Sequence, residues 1–233
     1  MPQDLMVQVT KNVEISMIPV SQSISLDEPV FAVNWFDTRS LVLYNIYNLL
    51  AARSVFKVGG LVVVKGKVTT IIAGDPRDHR DVVLIVRYPS GPLFLSMLQS
   101  AYFKVVSLLR TAAVTRFTFG FTQPVSHPPP ASDPRKDKAY MIYHYRGADI
   151  TDALVGLAGE NKIEVVYAGN AVAQLATRKA GAADVSLPSL MDGIVVFQAD
   201  TDTQLETLVA SDAFQHISRS TDSNFSALFQ RIL

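Results

Sequence analysis

An α+β fold built from two tandem βαββαβ repeats is expected from this sequence on three grounds. Shifted by about 111 residues, the second half of the chain keeps the apolar pattern of the first in phase without a gap. Short β-branched runs alternate in both halves with stretches of near-helical spacing, and a proline-rich segment separates the halves. Asp81-Val-Val-Leu-Ile-Val86 lies over Asp192-Gly-Ile-Val-Val-Phe197, and Ser100, Phe103 and Ser107 fall on Ser211, Phe214 and Ser218. Upstream, Val30 to Phe36 falls on Met141 to Gly147, and Leu61 to Val64 on Val172 to Leu175.

Residues 1–28 lie outside the repeat as an N-terminal arm. Leu5 to Thr10 and Val13 to Ile18 alternate apolar and polar positions, as a small hairpin across Lys11-Asn12 would, able to cover a sheet edge. The first repeat is placed at 29–121. Val30 to Phe36 suits a buried strand; Asp37-Thr38 is placed to cap a helix over 39–53, and Gly59-Gly60 turns the chain into Leu61-Val-Val-Val64. That strand is expected to bend or bulge at Gly66 and to run through Val68 to Ile72. Gly74 to His79 is the next turn, Val82 to Tyr88 the third strand, 91–110 a helical region and Val114 to Phe119 the fourth strand. Residues 122–138 hold five of the twelve prolines and read as a semi-rigid linker. A second, diverged repeat at 139–233 follows the same order. Each βαββαβ unit implies a ferredoxin-like sandwich with one sheet face uncovered, and two tethered copies can bury those faces against each other as an internal dimeric α+β barrel.

Composition narrows the function. Hydrophobic residues make up 48% and charged residues 18%, which is globular. Lys plus Arg and Asp plus Glu both number 21, so no net field draws nucleic acid or an acidic membrane, and neither is expected as a partner. Cysteine is absent, which excludes disulfides, thiolate metal sites and Cys nucleophiles and suits the cytoplasm. Neither a secretory pattern nor an apolar stretch of membrane-spanning length is legible. The expectation is a cytoplasmic protein, free to form a homo-oligomer.

Gly59-Gly60, Gly66, Gly74-Asp75, the strand ending Tyr88-Pro89-Ser90, Ser100-Ala-Tyr102 and Arg110 together resemble a bacterial family of unknown function within the dimeric α+β-barrel superfamily. The resemblance covers about residues 30 to 121 and implies the ferredoxin-like fold and barrel pairing. It brings no activity, since the wider superfamily holds cofactor-independent monooxygenases, isomerases, haem-binding enzymes and plain ligand-binding proteins. The second repeat departs from most of these signatures.

Candidate chemistry gathers at two places. In the first repeat, Asn34 or Trp35, Arg87, Tyr102 and Arg110 are positioned to line a pocket between sheet and helices, the arginines orienting a carboxylate or enolate. Packing roles compete: Tyr102 as a surface-tipped packing residue and Arg110 as a helix C-terminal cation. In the second repeat, strand alternation puts His144 and Arg146 on one face and Tyr143 and Tyr145 on the other. His144 reads as a general base beside an anion-holding Arg146, or as a buried structural histidine. No metal is expected, because no pair among the four histidines has ligand spacing, and no phosphate loop or Gly-x-Ser-x-Gly elbow occurs. No cofactor is therefore implied, although one axial histidine for haem leaves no spacing to test. Two functions stay open: small-molecule binding in or near the first repeat, or assembly, without catalysis; and a cofactor-independent monooxygenase or isomerase acting on a small aromatic or polyketide-like compound.

Overall fold

The computed structural model describes residues 7–8, 13–19, 27–76, 79–125, 137–179 and 192–232. Pro128 to Pro130 and His127 of the linker, and the Val185 to Pro188 connection, lie outside the described residues. The elements run β1 Val7–Gln8, β2 Val13–Pro19, β3 Val30–Thr38, α1 Leu41–Lys57, β4 Leu61–Ala73, β5 Val82–Tyr88, α2 Gly91–Gln99, α3 Ala101–Ala113 and β6 Val114–Pro124. They continue with β7 Ala139–Gly147, α4 Thr151–Glu160, β8 Glu164–Lys179, β9 Gly193–Ala199, α5 Asp202–Ala210, α6 Asp212–Ser218 and β10 Thr221–Arg231.

The hydrogen-bonded strand order is β1-β2-β8-β6-β3-β5-β4-β10-β7-β9, and β9 pairs with β8 in turn. Eight strands thus close an antiparallel barrel. Within it β6-β3-β5-β4 and β10-β7-β9-β8 each show the order 4-1-3-2 of a ferredoxin-like unit, as the sequence implies. β1 pairs antiparallel with β2, Val7 opposite Ile15, while the Lys11-Asn12 turn lies outside the described residues; β2 pairs in turn with the far end of β8, Val13 opposite Lys179 and Pro19 opposite Ala173.

Two compact units divide the chain. The first takes Met1–Val63, Leu84–Phe121 and Val172–Leu190, and the second Val64–Val83, Thr122–Ala171 and Met191–Leu233. In the first, α1 starts two residues later than the sequence suggests, because Ser40 rather than Asp37 or Thr38 caps it: its side chain accepts from Leu43 N at 3.4 Å. Gly59 ends the helix at φ +77° while Gly60 N returns to Val55 O at 2.8 Å; Gly60 has no room for a side chain between Val55 and Tyr88. The helical region after β5 is two helices broken at Ser100, whose hydroxyl donates to Met97 O (2.8 Å) and accepts from Phe103 N (3.2 Å). β6 runs to Pro124, three residues into the expected linker.

In the second unit, Met141, Tyr143 and Tyr145 on β7 pack with Leu154, Leu157, Leu205, Leu208 and Phe214 of α4 to α6. β10 pairs with β7 on one side and with β4 on the other. The register shifts of that β4 pairing fall between Ser226 and Ala227 and between Leu228 and Phe229, and Gly66 stands in register opposite Arg231, so no bulge lies there in this pairing. Gly66 answers a different need: the Phe229 ring lies where its Cβ would stand.

Candidate functional site

In the first repeat the sheet's helix-facing side is aromatic. Phe36 meets Tyr44 of α1 at 4.9 Å between ring centroids, Tyr88 meets Phe94 of α2 edge-on at 4.9 Å, and Phe94 stacks on Phe119 at 5.4 Å. Alternation then sends Trp35 and Arg87 to the opposite face. Asn34 stays on the helix side, its amide donating to Ala32 O and Leu84 O at 3.2 Å each. Arg110 folds back from α3 over the Phe117 ring, 4.9 Å from its centroid. Burial, reinforced by Tyr47, pushes the Tyr44 and Tyr88 phenols far above their usual range; the Arg110 charge acts the other way and loses. These phenols are donors rather than bases at neutral pH.

Tyr102 sits elsewhere. A cavity of about 410 Å³ opens between α1 and the break from α2 to α3, lined by Arg53, Ser54, Lys57, Val58, Ser96, Met97, Ser100 and Tyr102. The Tyr102 hydroxyl donates to Leu50 O at 3.1 Å, which fixes its ring in the cavity wall, and the Arg53 guanidinium lies 5.8 Å from the ring centroid. Arg53 and Lys57 stand one helical turn apart, and no carboxylate lines the cavity. The chemistry this offers is attraction for an anion, an aromatic wall and hydroxyl donors. Of the first-repeat positions picked from the sequence, therefore, Asn34 and Arg110 share the helix side of the sheet, Trp35 and Arg87 face away from it, and Tyr102 alone reaches this cavity. Arg53 and Lys57 were missed, although their spacing on a helix without a single acid was legible.

In the second repeat His144 and Arg146 do share a face, with Tyr143 and Tyr145 turned to the helices. His144 is buried between Phe225 on β10 and Ile194 on β9, and burial lowers its pKa from 6.5 to about 4. Arg146 is half-buried near the strand end, opposite Ser223. On the helix side, the Tyr145 hydroxyl lies 2.8 Å from Asp149 Oδ1 and 2.6 Å from Thr151 Oγ1, and Asp149 also accepts from Thr151 N at 3.0 Å and from the Asn170 amide at 2.5 Å. Burial raises the Asp149 pKa, but these hydrogen bonds together hold it below the usual carboxylate value. The network closes the first turn of α4, which has no side-chain cap of its own.

No family model matches the chain, and no curated relative does. Solved structures do. A protein provisionally assigned as a monooxygenase from Fusobacterium nucleatum is 9% identical with a TM-score of 0.53, covering 88% of this chain and 93% of its own. An anthrone oxidase-like protein is 12% identical with a TM-score of 0.52, covering 93% and 94%. A protein of unknown function from Rhodopseudomonas palustris is 22% identical over 43% of this chain and 85% of its own, with a TM-score of 0.41. At such identities a likeness speaks to fold alone. The match to the first two, joined with the two 4-1-3-2 sheets and the closed ring of eight strands, gives the conclusion that this chain has the dimeric α+β-barrel fold, formed within a single polypeptide.

Proposed function

We propose that the protein binds a small organic anion, carboxylate-bearing and planar enough to lie against an aromatic ring, in the first-repeat cavity beside Tyr102. The observation that carries this reading is the pairing of Arg53 and Lys57 over a cavity of about 410 Å³ with no acid in its lining. That volume is in the range of ligand pockets, roughly 300–1,000 Å³. The side chains divide the work, Arg53 forking onto the carboxylate, Lys57 adding a point charge and Tyr102 supplying the ring face. Binding rather than catalysis is favoured because the cavity lining holds neither a histidine nor a carboxylate, while the phenols beneath the helices are packed and pushed toward high pKa.

Calorimetric titration with benzoate and salicylate tests it. One molecule bound per chain, weakening with salt and at least about tenfold weaker in Arg53→Ala, is the expected result, the factor being that of one lost charge-assisted contact. Binding that is unchanged in Arg53→Ala and Lys57→Ala, or absent up to millimolar ligand, sinks the reading. The enzymatic alternative separates by turnover: consumption of an aromatic substrate with oxygen, lost on replacing Arg110 but kept in Arg53→Ala, would move the site beneath the helices.

A further inference from the structure

The helices of the two repeats present different outer surfaces. α4, α5 and α6 expose no large hydrophobic side chain among the described residues. α1 and α3, which pack side by side, expose a continuous set of them. Along α1 the outward stripe is Val42, Ile46, Leu49, Arg53 and Phe56, with Val42 70%, Leu49 78% and Phe56 61% exposed. Along α3 it is Ala101, Val105, Leu108 and Ala112, with Val105 67% and Leu108 64% exposed. Both stripes advance in alternating steps of four and three residues. That is the spacing of a seam meant to pack against another helix, since it keeps one line of side chains facing a neighbour.

From this we infer that the α1 and α3 face is where a second copy of this chain docks, giving a two-fold dimer whose interface is a layer of four helices. The area fits. Taking roughly 150–200 Å² for a fully exposed large apolar residue, the low end of the aromatic range because five of the six are aliphatic, the stripes expose on the order of 700 Å², close to the roughly 800 Å² that a standard interface takes from each partner. It also exceeds the roughly 300–600 Å² of the largest apolar patch on a typical monomer. Leu49, at the middle of α1 and the most exposed of the set, marks the place where the two-fold axis brings α1 against its own copy.

Charge leaves room for a like partner and tells it apart from a lipid surface by its response to salt. The one cation within the stripes, Arg53, lies against the Tyr102 ring of its own chain and leaves the centre apolar. Arg110 is turned back over Phe117, Lys57 and Lys104 stand at the rim, and no Asp or Glu occurs in α1, α2 or α3 to answer them. Two such faces brought together repel weakly at the rim and attract at the centre, so salt tightens the dimer. An anionic membrane or an acidic protein on the same face would be released by salt instead. The inference is independent of the ligand reading, although the docked copy would border the mouth of the Arg53 cavity.

Sedimentation velocity on the full chain at about 50 µM, in roughly 50 mM and 500 mM salt, tests this, the higher salt shortening the screening length about threefold. The expected species has twice the mass of the 25.5 kDa chain, is favoured at the higher salt, and falls to monomer in Leu49→Glu and Val105→Glu with unchanged circular dichroism. Because the chain has no cysteine, Leu49→Cys is expected to give an intermolecular disulfide under mild oxidation. A wild-type protein that stays at 25.5 kDa overturns the inference, as does a dimer that survives both glutamates. A monomer that co-sediments with phosphatidylglycerol vesicles at low salt overturns it in favour of lipid.

Discussion

His144 makes the protein's stability depend on pH in a calculable way. Its imidazole is buried, and that burial drops its pKa from 6.5 to about 4. Above pH 6.5 the ring is neutral in both folded and unfolded chains and contributes no pH dependence. Between 6.5 and 4 the unfolded chain takes up a proton that the folded chain refuses, so stability is lost as pH falls through that window and levels off below 4. At about 1.36 kcal/mol per pKa unit, the full loss is about 3 kcal/mol, of which about 2 kcal/mol has gone by pH 5. The assay is urea unfolding of wild type and His144→Leu at pH 7.5 and pH 5. The leucine variant carries a fixed cost from altered packing, but that cost cancels when each protein is compared with itself across pH, as do the contributions of other titrating groups. Wild type is expected to lose about 2 kcal/mol more than the variant between the two values. Equal losses would overturn this account, since they would mean that the folded protein accepts the proton at His144 as readily as water-exposed chain does. They would also reopen His144 as a base of ordinary strength.

Other consequences of the structure are open to measurement. Gly66→Ala drives a methyl into the Phe229 ring, which is stacked on Tyr140 at 5.4 Å and has little room to yield; a loss of about 1–3 kcal/mol in urea unfolding is expected, largely recovered by Phe229→Leu in the same chain. Ser100→Ala and Ser211→Ala each remove the cap of the second helix in their repeat and are expected to cost about 1 kcal/mol apiece, additively, because the two sites share no partner. Tyr143→Phe breaks the buried bond from its hydroxyl to Ser218 Oγ at 2.9 Å and is expected to cost about 1–2 kcal/mol, whereas Tyr102→Phe, at an exposed bond, stays near about 0.5 kcal/mol by the same measurement.

The duplication was legible where both copies obey the same local chemistry. From Asp81 and Asp192 onward the register holds through the capping residues: Ser90 and Thr201 open the first helix of each pair, and Ser100 and Ser211 the second. Upstream it slips. α1 has 17 residues and α4 only 10, so β4 begins at Leu61 and its counterpart β8 at Glu164, not at Val172. The counterpart of Gly59 is accordingly Lys162, which takes φ +55° where Gly59 takes +77°. A gapless comparison missed this because the longer β8 and the connection after it restore the lost residues before β9.

Local patterning was enough for the βαββαβ order, the two repeats and the buried strand faces, because period, caps and turn residues act within a few positions of chain. It also placed His144 and Arg146 on one strand face, which alternation alone dictates. Three-dimensional packing was needed to separate Tyr102 from Arg110, to bring Arg53 and Lys57 into one cavity with Tyr102, and to make Gly66 the opening for a phenylalanine from β10. Those are meetings between residues far apart in the chain. Each depends on how deeply a helix seats on the sheet and which way a long side chain turns, and no local pattern carries that information.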